Sequence, residues 1–111
     1  MDNIERKYLF DIVESINKIE CYIGESKKFE VYDSNTMLQD AVERNIEIIG
    51  EAMNQLLKIN PEIPVTNGRR IVDARNKIIH GYDEIENENI WAIVINHLPI
   101  LKKEILTLVD F

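Results

Sequence analysis

The sequence predicts an all-α protein, an antiparallel four-helix bundle forming a single domain over residues 1–111, and three observations carry that expectation. Apolar residues recur at three- and four-residue steps through most of the chain. The strict alternation of a half-buried strand is nearly absent, and Gly24, Asn60-Pro61 and Gly81 stand at the ends of periodic stretches. A chain of this length buries roughly two thirds of the surface that it exposes when unfolded, so one hydrophobic core is enough.

The first helix is expected over residues 2–23, where Ile4, Tyr8, Leu9, Ile12, Ile16, Ile19 and Ile23 form one stripe and Gly24 offers a cap. Residues 24–34 form a charged connection whose Phe29, Val31 and Tyr32 are expected to fold back onto the core. Thr36 and Gln39 have the spacing of a capping box, in which each side chain satisfies an exposed backbone N–H at a helix start. The second helix therefore opens there, runs through Leu38, Ala41, Ile48, Ile49, Ala52, Met53 and Leu56, and stops at Asn60-Pro61 with Asn60 as a left-handed cap. Gly50 inside it costs roughly 1 kcal/mol relative to Ala, which points to a close helix approach or a bend. The third helix starts near Asn67, turns Ile71, Val72, Ala74, Ile78 and Ile79 inward, and ends at His80-Gly81. The fourth begins around Asn87 and continues through Trp91, Val94, Leu98, Leu101, Ile105, Leu106 and Val109, with a kink expected at Pro99.

Composition narrows the classes of function. At 45% hydrophobic and 30% charged residues the chain has the profile of a packed protein, not of a disordered tail. No apolar run approaches the ~20 residues that span a bilayer, and the stretch Met1 to Lys7 has no apolar segment of a leader, so no membrane association is expected. Cys21 is the only cysteine and has no partner for an intrachain disulfide, which fits a cytoplasmic protein. The net charge of −7 argues against a general nucleic-acid binder. Local charge differs: Arg69, Arg70, Arg75 and Lys77 against Asp73 give that segment four positive charges and one negative, +3, before Asp83, Glu84, Glu86 and Glu88 reverse the sign.

The candidate chemistry lies in Arg75-Asn76-Lys77-Ile78-Ile79-His80-Gly81-Tyr82. A histidine exchanges a proton near neutral pH, and an arginine offers a permanently charged fork that fits phosphate oxygens. Together they suit RNA cleavage by attack of the ribose 2′-hydroxyl on the adjacent phosphate, with no metal or other cofactor. Asn76 would add a hydrogen bond to phosphate or orient a side chain, and Lys77 would hold a neighbouring phosphate. Five helical steps set Arg75 and His80 about 140° apart, so they do not share a face. A two-fold homodimer, bringing the same segment in from both subunits, would gather them around one cleft. Plainer roles stand beside these. His80 and Gly81 suit the end of a helix, and Arg75 suits an ion pair with an acid on a neighbouring turn. Arg44 and Glu51 either support a cleft or are exposed helix charges. His97 has no metal-ligating companions in its helix, and Cys21 has no adjacent base.

The same eight residues resemble the R-x4-H-x-Y motif of HepT-like toxins of the HEPN superfamily, including the polar residue after the arginine. Glu43-Arg44-Asn45-Ile46-Glu47-Ile48-Ile49-Gly50-Glu51-Ala52 is similar to the family's second-helix signature, and Trp91 with Leu98-Pro99 resembles its last helix. The likeness runs over nearly the whole chain in the family's order. It implies a four-helix HEPN domain, dimerised so that the motif lines a shared cleft, acting as a metal-independent endoribonuclease toxin of a type VII-like toxin–antitoxin system. Arg75 and His80 would then be catalytic. It further implies a partner, an MntA-like minimal nucleotidyltransferase antitoxin, which uses ATP to add AMP to Tyr82 and so silences the toxin. Two other functions stay open at this point: a non-catalytic module that partners a nucleotidyltransferase, and a helical oligomerisation protein.

Overall fold

The computed structural model describes residues 2–81 and 86–111. They form α1 (Asn3–Ile23), α2 (Phe29–Asp33), α3 (Thr36–Ile59), α4 (Gly68–His80), α5 (Asn87–Ala92) and α6 (Leu98–Leu108), with a π-helical turn at Ile93–His97 joining α5 to α6. There is no strand among the described residues.

Asp2 caps α1 by accepting the Glu5 N–H at 2.8 Å, and Gly24 ends it at a φ of 76°. Leu9, Ile12, Val13, Ile16 and Ile19 are buried, whereas Ile4 stays outside the core. The expected connection over 24–34 contains a further short helix, α2. Its Tyr32 is fully buried with its ring 5.5 Å from that of Trp91, and Phe29 meets the same indole edge-on at 6.0 Å. Val31 is half exposed, contrary to expectation, because one helical step of about 100° from Tyr32 carries it off the buried face.

The cap of α3 also differs from the expected capping box. Asn35, not Thr36, accepts the Leu38 N–H, at 3.0 Å, and Gln39 turns back to donate to the carbonyls of Tyr32 and Asp33. Two adjacent residues compete for the cap, and Asn is the stronger N-cap. At the other end Asn60 has a φ of −138°, extended and not left-handed, which is the backbone that a following proline imposes.

In α4 the buried side chains are Ile71, Val72 and Ala74; Ile78 is half buried and Ile79 is 47% exposed. Adjacent residues on a helix cannot both face the core, so the expectation that Ile78 and Ile79 turn inward together fails at Ile79. Gly81 closes the helix at a φ of 60°, its N–H donating to the Lys77 carbonyl. Around Pro99 the helical path continues. The Leu98 N–H reaches the Ile93 carbonyl, five residues back, so the turn before the proline is widened where an α-helical carbonyl would meet the ring. Leu106, expected inside, is half exposed.

Helix α3 lies at the centre, packed against α1 and α4, while α6 packs on α1 and α2 bridges α3 and α5. The shortest extent of the body is 19 Å, about two helix diameters, so the bundle is two layers thick. The link into α4 is anchored by buried Ile63 and by Thr66, whose N–H donates to Glu104 of α6 at 3.1 Å. No helix among the described residues is long and apolar enough to cross a membrane.

Candidate active site

Helix α4 carries the candidate residues, and its seat on α3 is set by small residues. At its first turn Gly68 is buried, and a Cβ there would meet the Met53 Sδ at 3.2 Å. Near its middle it crosses Gly50 of α3 so closely that a Cβ on Gly50 would collide with the Arg75 Cβ and lie 2.8 Å from its Cγ. The close helix approach expected from Gly50 is therefore real, and its partner is Arg75.

Beyond that contact the guanidinium is held at two further points. Nη2 of Arg75 pairs with Oε2 of Glu51 at 2.7 Å, and Nη1 donates to Oδ1 of Asn76 at 3.0 Å. Nε is buried without a hydrogen-bond partner among the described residues. The Arg75 side chain is 22% exposed, so it lies partly covered at the helix junction. Asn76 thus orients a side chain, one of the two roles expected of it. Lys77 and His80 are exposed further along α4.

Arg75 and Ile79 line one wall of a hollow of about 330 Å³; Arg44, Glu47, Ile48, Glu51 and Ala52 form the opposite wall, with Tyr8 and Asp11 of α1 at its edge. Its lining mixes apolar and charged side chains. Arg44 pairs with Glu47 at 3.2 Å, and Asp11 with Lys7 at 2.7 Å. Two guanidinium groups face three carboxylates here, so the hollow is not a broadly basic surface. The charges of Arg69 and Arg70 stand on exposed positions of α4.

The structure does not bring Arg75 and His80 together on one face. Helix α4 is regular to His80, so the separation of about 140° is retained. Tyr82 lies outside the described residues. Among those residues no three His, Cys, Asp or Glu side chains are grouped to hold a metal ion. Sequence reasoning left Glu51 undecided between support and an exposed charge; its partner is 24 positions away, and only the packing of α3 on α4 joins them. Cys21 is exposed.

Two titrating groups are not part of the lining of this hollow. Glu43 is held above the usual carboxylate range, first by burial and then by the neighbouring charges of Asp40 and Glu47. His97 is held below the usual imidazole range by burial and by Arg70.

Residues 12–108 match the family model described as ribonuclease HepT-like. A Methanocaldococcus jannaschii protein named as a candidate RNase is 38% identical over 90% of this chain and 83% of its own length. A Thermococcus cleftensis protein named as a candidate ribonuclease HepT is 36% identical over 92% of this chain and 93% of its own. A second M. jannaschii protein, also named as a candidate RNase, is 32% identical over 90% of this chain and 92% of its own length. No solved structure matches the chain.

Proposed function

We propose that this chain, which belongs to the HepT-like ribonuclease family, is a metal-independent endoribonuclease in which Arg75 and His80 perform the reaction. The observation that carries this reading is the guanidinium of Arg75, pinned by Gly50, Glu51 and Asn76 at the edge of a hollow, on the same helix that ends in His80. A cation held this firmly suits the stabilisation of charge on a phosphate more than general affinity for RNA, which the net charge of −7 disfavours.

In the reaction His80 takes the proton of a ribose 2′-hydroxyl, whose oxygen attacks the adjacent phosphorus. Arg75 stabilises the charge gathered on the non-bridging oxygens. The bond from phosphorus to the 5′-oxygen breaks and that oxygen takes a proton, which leaves a 2′,3′-cyclic phosphate and a 5′-hydroxyl. Water supplies that proton, and a two-fold homodimer would bring Arg75 of one subunit to His80 of the other. In such a homodimer half-exposed Ile79, next to His80, would lie near the contact between the two segments.

The same reading extends to control. The protein acts as the toxin of a type VII-like pair, and an MntA-like nucleotidyltransferase spends ATP to place AMP on Tyr82. Lys77 contributes a phosphate contact.

The test is cleavage of a labelled RNA by purified protein in EDTA, with Arg75→Ala and His80→Ala alongside. Cleavage that persists in EDTA, falls by roughly 100-fold or more in each variant and leaves cyclic phosphate ends is expected. Cleavage that requires Mg²⁺, or that survives both substitutions, overturns the mechanism. Absence of cleavage by wild-type protein favours a non-catalytic module that partners a nucleotidyltransferase.

A further inference from the structure

We infer that Glu51 is a positioning residue for this reaction, fixing the guanidinium of Arg75 while leaving part of its donor set open to phosphate. The inference rests on Arg75 being the cation that meets the scissile phosphate.

An arginine carries five N–H donors, one on Nε and two on each Nη. In this protein the Nε donor is buried, Nη2 is ion-paired with Glu51 at 2.7 Å, and Nη1 donates to Asn76 at 3.0 Å. Each Nη carries two donors, so neither contact uses up its nitrogen, and donors remain on both for phosphate oxygens. Glu51 is itself held, because its Oε1 accepts from Nε2 of Gln55, one turn along α3, at 3.1 Å. A chain of contacts thus runs from Gln55 through Glu51 to Arg75, and Glu51 is the residue after Gly50, where the arginine stem is seated.

Stability is a poor explanation for this pair. The Glu51 side chain is 48% exposed, and ion pairs in that setting contribute little to folding. The carboxylate also works against substrate affinity, since it sets a negative charge beside the place where phosphate must arrive. Geometry and affinity therefore pull in opposite directions at this one residue. That opposition separates a positioning role from a structural one.

The experiment compares kcat and KM for RNA cleavage in wild-type protein, Glu51→Ala and Glu51→Gln. Glu51→Ala is expected to lower kcat by roughly 10- to 100-fold without raising KM, as a freed guanidinium loses its alignment. Glu51→Gln, which keeps an oxygen for Nη2 and removes the charge, is expected to restore most of that kcat and to lower KM. A kcat for Glu51→Ala within twofold of wild type, or equal damage in the two variants, overturns the proposal. If wild-type protein does not cleave RNA, the functional reading has failed, and the positioning claim is read separately by NMR. The Nε–H signal of Arg75, assigned by its loss in Arg75→Lys, should be dispersed in wild-type protein and should move toward that of a solvated arginine in Glu51→Ala. An unchanged signal overturns the proposal.

Discussion

Gly50 of α3 lies flush against the Cβ and Cγ of Arg75 on α4, so that the absence of a side chain at one position determines where the charged side chain at the other can stand. The next residue, Glu51, then meets the far end of the same arginine at 2.7 Å. Two consecutive residues of α3 therefore act on the two ends of Arg75, the first by leaving room and the second by pairing with its charge.

Gly50→Ala should accordingly harm both folding and cleavage. The new methyl group would push against the Arg75 stem and the Ile71 carbonyl, 3.2 Å away, neither of which can yield without moving α4. A loss of about 1–3 kcal/mol is expected from such overpacking. Chemical denaturation measures the loss, and a cleavage assay should register a fall in kcat larger than the change in KM. A variant as stable as wild type would show that the helices are not in close contact at this point.

Glu43 gives a prediction about pH. Folding raises its pKa, by burial and by Asp40 and Glu47, so the folded state holds the proton more tightly than the unfolded chain does. Its favourable contribution is complete below the ordinary glutamate value of about 4.3 and is lost as the pH rises through the raised value. Glu43→Gln should therefore raise Tm by a few degrees at pH 7 and bring no gain near the acid end of that window. Thermal melts across pH measure this, and a Tm at pH 7 at or below that of wild type would contradict it.

Ile79 bears on assembly. It is half exposed and adjoins His80 on the helix that carries the candidate site. Ile79→Asp is expected to shift the protein from dimer to monomer in light scattering and to abolish cleavage, with Tm changed less than by a core substitution because the side chain is half exposed. A variant that stays dimeric would place the interface elsewhere.

The extent to which these features were legible differs from element to element. The stripes of α1 and α3, the stop before Pro61 and the cap at Gly81 follow from local rules, since period, proline geometry and a left-handed glycine need only neighbouring residues. The short helix α2 was not legible, because five residues give no period, and its burial comes from Trp91 far along the chain. The cap of α3 fell to Asn35 because two adjacent residues could fill it. Within the site, Arg75 and His80 stand out by residue type and Gly50 by its helix penalty. The Glu51 pairing with Arg75 depends on tertiary contact, which spacing along one helix cannot reveal.

In the proposed control by modification, Tyr82 is the acceptor of AMP. Each added phosphodiester would set negative charge near Arg75 and Lys77, in competition with the RNA backbone. Tyr82→Phe should keep most of its cleavage activity and escape inhibition by the nucleotidyltransferase partner with ATP. Intact mass spectrometry reads the modification, and an unmodified wild-type mass, or equal addition to Tyr82→Phe, would contradict this role.

Arg75 and His80 project from α4 about 140° apart, so the account requires that they meet across a subunit boundary. The direct test mixes two inactive proteins, Arg75→Ala and His80→Ala, under conditions that allow subunits to exchange. A mixed dimer keeps the arginine of one chain and the histidine of the other, so cleavage should return toward about a quarter of the wild-type rate. Activity that stays at the level of the separate variants, while exchange is verified by native mass spectrometry, would contradict the shared site.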